Sequence, residues 1–351
     1  MGLSKSQAAI WQKSKTLGSG GQAVRLTDEM CAFLLSIIVD DLGLQSEFSD
    51  LPKPHTQFYT DSPLSSLTAN HKDPKNIFER LVGINEDADT YFACLCALHK
   101  ARLKYERILS TQPIPTLEQV GPRGLLQYGK LSGNALAGFL FWRKWFFDID
   151  NRAGQETGYL FEPIIANAIG GTPAPSSKSP VKRKSDNRKG RQVDCILDNK
   201  AYELKIRVTI AASGQGRWQE ELDFPTDCEA SGFQPVLVCM DGTRNSKIDE
   251  LILAFEAVGG AVYVGEAAWK HLDDLAGPTM AQFIEKYVRA PIQDLLSKAS
   301  NLMPDLVAKH TGSRIEISIG SESLKIRRGE EEFADDELDV MPDDAADEIE
   351  S

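Results

Sequence analysis

The chain has 351 residues, 42% of them hydrophobic, enough for one large or two modest globular domains. Its formal charge of −12 argues at first against a nucleic-acid partner, yet twelve acids and no Lys or Arg fall between Glu330 and Ser351. The rest carries 39 acids against 39 Lys plus Arg, and a neutral body can still present a basic face.

Residues 22–48 hold an apolar helical pattern from Met30 to Val39, opened by Thr27-Asp28-Glu29 as a cap. Residues 50–76 are rich in Pro, Ser, Thr and Asn and read as a long loop. A helix is expected over 85–109, where Tyr91, Phe92, Leu95, Leu98, Leu103 and Ile108 share one broad face; Pro113 and Pro115 end it. Another is expected near 132–147, with an aromatic stripe that reads as core. Residues 1–150 are thus a mostly helical N-terminal region, suited to dimerisation or DNA contact.

After residue 150 the pattern changes. A helix from Gln155 to Ala168 ends at Gly170-Gly171. A Pro/Ser/Lys-rich segment follows over 172–190. Two apolar, β-branched runs, Gln192–Leu197 and Ala201–Ala211, flank a tight turn at Asp198-Asn199-Lys200. A helix over 217–231 closes at Gly232. Then come a buried strand (Val236–Met240), a helix (246–258) and a strand (261–264). This order predicts an α/β (α+β) fold, a mixed sheet flanked by helices. Residues 279–309 read as helix and Arg314–Arg328 as a hairpin, so the second region spans 151–329. The acidic tail, 330–351, is expected to be disordered.

The six cysteines form no CxxC pair and the five histidines no paired spacing, which argues against a zinc site; the thiols read as reduced and the protein as cytoplasmic. No apolar run approaches the roughly 18 residues of a membrane span, and no membrane role is expected. The N-terminus lacks the apolar core of a signal peptide.

Hydrolysis of a phosphodiester by metal-activated water needs a hard cation held by carboxylates, with a cation or base near the water. An acid stands two before a lysine at Asp73, Asp198 and Glu203. Only Glu203-Leu204-Lys205 lies inside an apolar strand. Period-2 geometry puts Glu203, Lys205 and Arg207 on one face and Tyr202, Leu204 and Ile206 on the other. With a two-residue turn at Asn199-Lys200, Asp194 on the partner strand stands opposite Lys205 and diagonal to Glu203, in reach of one or two metals. The alternative is an edge strand whose outer face merely solvates these charges. Lys178, Lys182, Arg183, Lys184, Arg188, Lys189 and Arg191 form a basic, flexible approach to the strand that suits phosphates. Glu162, after Tyr159-Leu160-Phe161, is a further candidate carboxylate; Glu156 reads as a surface residue. Arg217, Gln219 and Glu220, after a flexible Gly-rich loop, are in reach of the phosphate.

Asp194, then Glu203-Leu204-Lys205, set between a Glu-bearing helix and a following helix, resembles the PD-(D/E)XK nuclease superfamily. Val193 stands where that motif has proline. Residues about 154–290 resemble the ApaLI-like type II restriction endonucleases, through Gly154-Gln-Glu-Thr-Gly158, Glu203-Leu-Lys-Ile-Arg-Val-Thr-Ile-Ala-Ala-Ser-Gly-Gln-Gly-Arg217 and Gly265-Glu-Ala-Ala-Trp-Lys-His-Leu272. The resemblance implies a restriction-endonuclease-like fold. It implies cleavage of double-stranded DNA at a short palindrome such as GTGCAC by a homodimer, with a cognate DNA methyltransferase in the same system. Asp194 and Glu203 would then bind Mg²⁺ with the Leu204 carbonyl. Lys205 would position the water and steady the developing charge, Glu162 would add to the catalytic set, and Arg207 and Arg217 would contact DNA. A structure-specific repair or recombination nuclease of the same fold, or a catalytically inert DNA-binding module, are the alternatives.

Overall fold

A computed structural model describes residues 2–17, 24–51, 53–71, 73–207, 215–298 and 304–329, with no side-chain description at 17 and 215–217. The expected tail at 330–351 and the end of the predicted strand, 208–211, lie outside the described residues. These form two compact units: 1–100 with 158–294, and 101–157 with 295–329. The division crosses the sequence-based one at residue 150. Among the described residues, no helix is long and apolar enough to cross a membrane.

The N-terminal part is helical, as expected. Helix Asp28–Asp41 is capped by the Thr27 hydroxyl, which accepts from the Met30 amide at 3.2 Å. Every residue from Cys31 to Val39 is buried, so this helix is apolar all round and lies inside the unit. Helix Pro74–Ile84 has Asp73 as its cap and Pro74 in its first turn, where a missing N–H costs nothing. Helix Ala88–Thr111 matches the expectation over 85–109. A helix at Lys5–Ser14 has no counterpart among those expected.

The helices expected near 132–147 and 155–168 are one helix, Gly133–Ala168, which continues through Pro163. The polar stretch between the two apolar patterns is supported by ion pairs, Lys144 with Asp148 four residues on and Lys104 with Glu156 at 2.8 Å. Chain reversal follows at Gly170 (φ 79°), where the Gly171 amide reaches back to the Ala166 carbonyl at 2.9 Å.

The first unit is built on a five-stranded mixed sheet. Its strands, from one edge to the other, are Thr172–Ala174, Val193–Leu197, Lys200–Lys205, Gln234–Cys239 and Ala261–Val264. The first three are antiparallel neighbours and the last two run parallel to Lys200–Lys205 and to each other. Helices Gln215–Ala230 and Ser246–Glu256 are the crossovers that such parallel pairs require. Trp218, Phe224, Cys228, Ile248, Leu251 and Phe255 from these helices share one core cluster with Ala201, Leu237 and Cys239 of the sheet. On the opposite face the Tyr202 ring meets His271 of helix Glu266–Ile284.

The basic segment before the sheet is structured. Lys182–Arg183 and Asp186–Gly190 pair as a small antiparallel ribbon, and Thr172–Ala174 is the edge strand of the main sheet. Residues 306–309, expected as the end of a helix, belong to strand Leu306–Thr311, which extends the expected hairpin Arg314–Ile319 and Glu322–Arg327 into three strands. In the second unit Ile315, Ile317 and Ile326 of these strands pack with Trp145 and Trp142. Trp142, Trp145 and Phe146 of the aromatic stripe are therefore core, as read, whereas Phe139 of the same stripe is exposed.

Gly171 lies tight against the first hairpin strand. A Cβ there would stand 2.2 Å from Cys195 Sγ and 3.1 Å from the Ile196 carbonyl oxygen. Gly171→Ala is therefore expected to destabilise by about 1–3 kcal/mol, the usual cost of overpacking, measured by urea unfolding. An unchanged midpoint would mean that the edge strand yields freely.

Candidate active site

Strands Val193–Leu197 and Lys200–Lys205 form a hairpin closed by Asp198 and Asn199. Asp198 carries the positive φ (54°) that such short turns require. Cys195 pairs with Tyr202 and Ile196 with Ala201. Extended one residue, this register sets Asp194 across from Glu203. The expectation that Asp194 faces Lys205 is thus corrected by two positions, because the turn falls at 198–199 and not at 199–200. A shift of two keeps the parity, so Asp194, Glu203 and Lys205 still share a face.

That face is the one covered by helix Gln215–Ala230. In the parallel ladder Glu203 lies beside Leu237 and Lys205 beside Cys239, both fully buried. Lys200–Lys205 is the central strand, and the side chains of Glu203 and Lys205 are 13% and 22% exposed. The reading of these charges as the solvated face of an edge strand is excluded.

Lys205 Nζ stands 2.7 Å from Glu203 Oε1 and 3.8 Å from Glu221 Oε1. Asp194 Oδ2 accepts the Leu204 main-chain N–H at 2.8 Å. Burial, reinforced by the charges of Glu203 and Glu162, pushes the Asp194 carboxyl well above its usual range; Lys205 and the Leu204 amide pull the other way. Burial alone would lower Lys205, but Glu203, Glu221 and Asp194 outweigh it and hold the ammonium charged. Glu162 is thus close enough to Asp194 for its charge to be felt there. It comes from helix Gly133–Ala168, where a Cβ at Gly158 would come within 3.3 Å of its Oε1.

The donors are all hard oxygens. Among the described residues no three His, Cys, Asp or Glu side chains stand close enough to hold a metal by themselves. Two carboxylates, a main-chain carbonyl, solvent and a substrate phosphate are, however, the set by which Mg²⁺ is usually taken. The carbonyl is well placed. Lys205 O accepts from Met240 N at 2.9 Å, and carbonyls alternate along a strand, so Leu204 O points toward the strand that carries Asp194.

The basic residues divide. Lys182, Lys184, Arg188 and Lys189 are exposed on the ribbon. Arg183 pairs with Glu220 at 2.8 Å, and the buried Arg191 pairs with Asp227, so both tie the ribbon to helix Gln215–Ala230. Arg191 does not face outward, because its guanidinium is turned into the fold. Arg207, largely exposed, leans on Asp241 at 3.2 Å. The Arg217 side chain lies outside those described. Glu156 is paired with Lys104 in the second unit.

Glu221 was not among the residues singled out from sequence. Its signal was a carboxylate on an apolar stripe, three residues after Trp218 and three before Phe224.

Such a hairpin, with two carboxylates and a lysine converging on a central strand beside a helix-borne glutamate, defines a nuclease of the restriction-endonuclease-like class. The chain belongs to the ApaLI-like restriction endonuclease family, which it matches over residues 57–289. It is 43% identical over 330 residues to the type II restriction enzyme ApaLI of Acetobacter pasteurianus, covering 86% of this chain and 88% of that enzyme. No solved structure matches it. Family membership supports the first of the three readings: the chain is a type II restriction endonuclease.

The raised Asp194 has a consequence for stability. Below the ordinary carboxylate range both folded and unfolded chains hold this proton, and no penalty exists. As pH rises toward the raised folded value, the unfolded chain ionises first and the fold loses stability. In EDTA at neutral pH, Asp194→Asn is expected to raise Tm, by roughly 2–4 °C for each kcal/mol relieved, and to flatten the decline between acid and neutral pH. A lowered Tm would contradict this account.

Proposed function

We propose that this restriction endonuclease cuts double-stranded DNA at a short palindrome through Asp194, Glu203 and Lys205, with Glu162 supporting them. The observation that carries the reading is the convergence of Asp194 and Glu203 across a hairpin, with Lys205 Nζ 2.7 Å from Glu203. Type II restriction endonucleases typically use divalent metal ions; Mg²⁺ is the ion proposed here, held by Asp194, Glu203 and the Leu204 carbonyl. Bound there, such an ion activates water and offsets charge on the scissile phosphate. The Leu204 amide fixes one Asp194 oxygen and leaves the other for the cation. Lys205, kept charged by its carboxylates, steadies the negative charge that develops on the phosphate oxygens. Helix Gln215–Ala230 and the apolar neighbours Leu237 and Cys239 keep the site partly dry, which strengthens these interactions.

Lys182, Lys184, Arg188 and Lys189 track the phosphate backbone, with Arg207 nearer the cut and Arg217 as a further DNA contact. A palindromic site suits two copies related by a two-fold axis, one site per strand, and GTGCAC is the sequence that the resemblance suggests. A cognate methyltransferase would protect the host DNA. The cysteines of the described residues are all free and buried, which supports a reducing, cytoplasmic setting.

Incubation of plasmid DNA with Mg²⁺ is expected to give discrete fragments that disappear in EDTA. Lys205→Ala and Glu203→Gln should each slow cleavage at least about 100-fold with DNA binding retained. Plasmid left intact by the wild-type protein, or cut at the wild-type rate by Lys205→Ala, would overturn the assignment.

The exposed ribbon makes a separate forecast. Arg188→Ala with Lys189→Ala should weaken binding to any duplex alike and reduce the slope of log K against log salt by about 2. A loss confined to one sequence would place these residues at base edges.

A further inference from the structure

Helix Gln215–Ala230 lays Trp218, Phe224 and Cys228 on the sheet in one buried cluster. Glu221 falls on that same stripe, and its side chain is only 21% exposed. A carboxylate in such a position costs desolvation free energy unless it meets a charge. The charge it meets is Lys205, so two carboxylates from separate elements flank one ammonium. Glu203 lies at 2.7 Å on the lysine's own strand, and Glu221 lies at 3.8 Å on the helix above.

These two carboxylates are not equivalent. Glu203 has two calls on it, since it both pairs with Lys205 and, on the reading above, turns its oxygens to a divalent cation. A carboxylate that shares its charge with a cation offers less to an ammonium, and the cation itself repels Lys205. The lysine stem is flexible, with four carbons and no fixed fork. Glu221 comes from a different element, the helix, and stands beside Nζ. We propose that Glu221 is a positioning residue that holds the Lys205 ammonium at the reacting phosphate once Glu203 is engaged with the cation. The inference rests on Lys205 being the catalytic lysine.

The test is single-turnover cleavage of supercoiled plasmid with Mg²⁺ by the wild type, Glu221→Gln, Glu221→Asp, Lys205→Ala and the Lys205→Ala/Glu221→Gln double variant. DNA affinity is measured with Ca²⁺ in place of Mg²⁺, and Tm is measured alongside. Glu221→Gln is expected to slow cleavage about 10- to 100-fold, the scale of a misplaced catalytic group, with DNA affinity and Tm held. Glu221→Asp should recover part of the rate. In the Lys205→Ala background, followed over long incubations, Glu221→Gln should add no further loss. A rate within twofold of wild type overturns the proposal. So does a loss of DNA affinity with the cleavage step intact, a rate restored by more Mg²⁺ (which would make Glu221 a ligand), or a further loss in the Lys205→Ala background. If Lys205→Ala itself cleaves normally, it is the assignment of the lysine that fails.

Discussion

Everything in this active site depends on negative charge that the fold concentrates where water is scarce. Asp194, Glu203 and Glu221 stand about one lysine on the core face of a central strand, and Glu162 lies near Asp194. Burial first, and then the charges of Glu203 and Glu162, raise the Asp194 carboxyl. A buried carboxylate held in this way weakens the fold unless a positive charge offsets it. That is the ordinary relation between a binding site and its scaffold: the strain that weakens the empty protein is released by the ligand.

The sheet makes this tolerable. Lys200–Lys205 has neighbours on both sides and helices over both faces, so its main chain is held by hydrogen bonds to Val193–Leu197 and Gln234–Cys239 whatever its side chains do. Farther back along the same face, Ala201 is plain core. The apolar half of the strand anchors it and the charged half, at its C-terminal end, holds the residues proposed for the chemistry. The Asp194 carboxylate is itself tied to that strand through the Leu204 amide, so both hairpin strands move as one piece.

Much of this was legible in the sequence. The alternation around Glu203 and Lys205 and the Gly170-Gly171 stop gave the hairpin and its entry. The pairing of Asp194 was misplaced by two residues because Asp198, a non-glycine residue, takes the positive φ that the more distant Asn199-Lys200 turn seemed to need. The long helix Gly133–Ala168 was divided in sequence because its middle is polar and Pro163 follows; ion pairs and flanking buried turns carry it through. Strand Leu306–Thr311 has no strict alternation to announce it and is defined by pairing with a partner nearby in the chain. The basic ribbon looked unstructured because its order comes from Arg183–Glu220 and Arg191–Asp227, contacts that span more than thirty residues.

Leu204 stands between the two charged residues of the motif and acts through its backbone alone. Its amide holds Asp194, while its side chain points to the opposite face and is 2% exposed. The identity of this middle residue is therefore answerable to the packing beneath the sheet and not to the reaction above it. Two independent selective demands meet on a single amino acid without competing, since one addresses the main chain and the other the side chain. A scaffold of this kind can exchange the apolar residue at that point as its interior changes, with the hydrolytic apparatus left as it was.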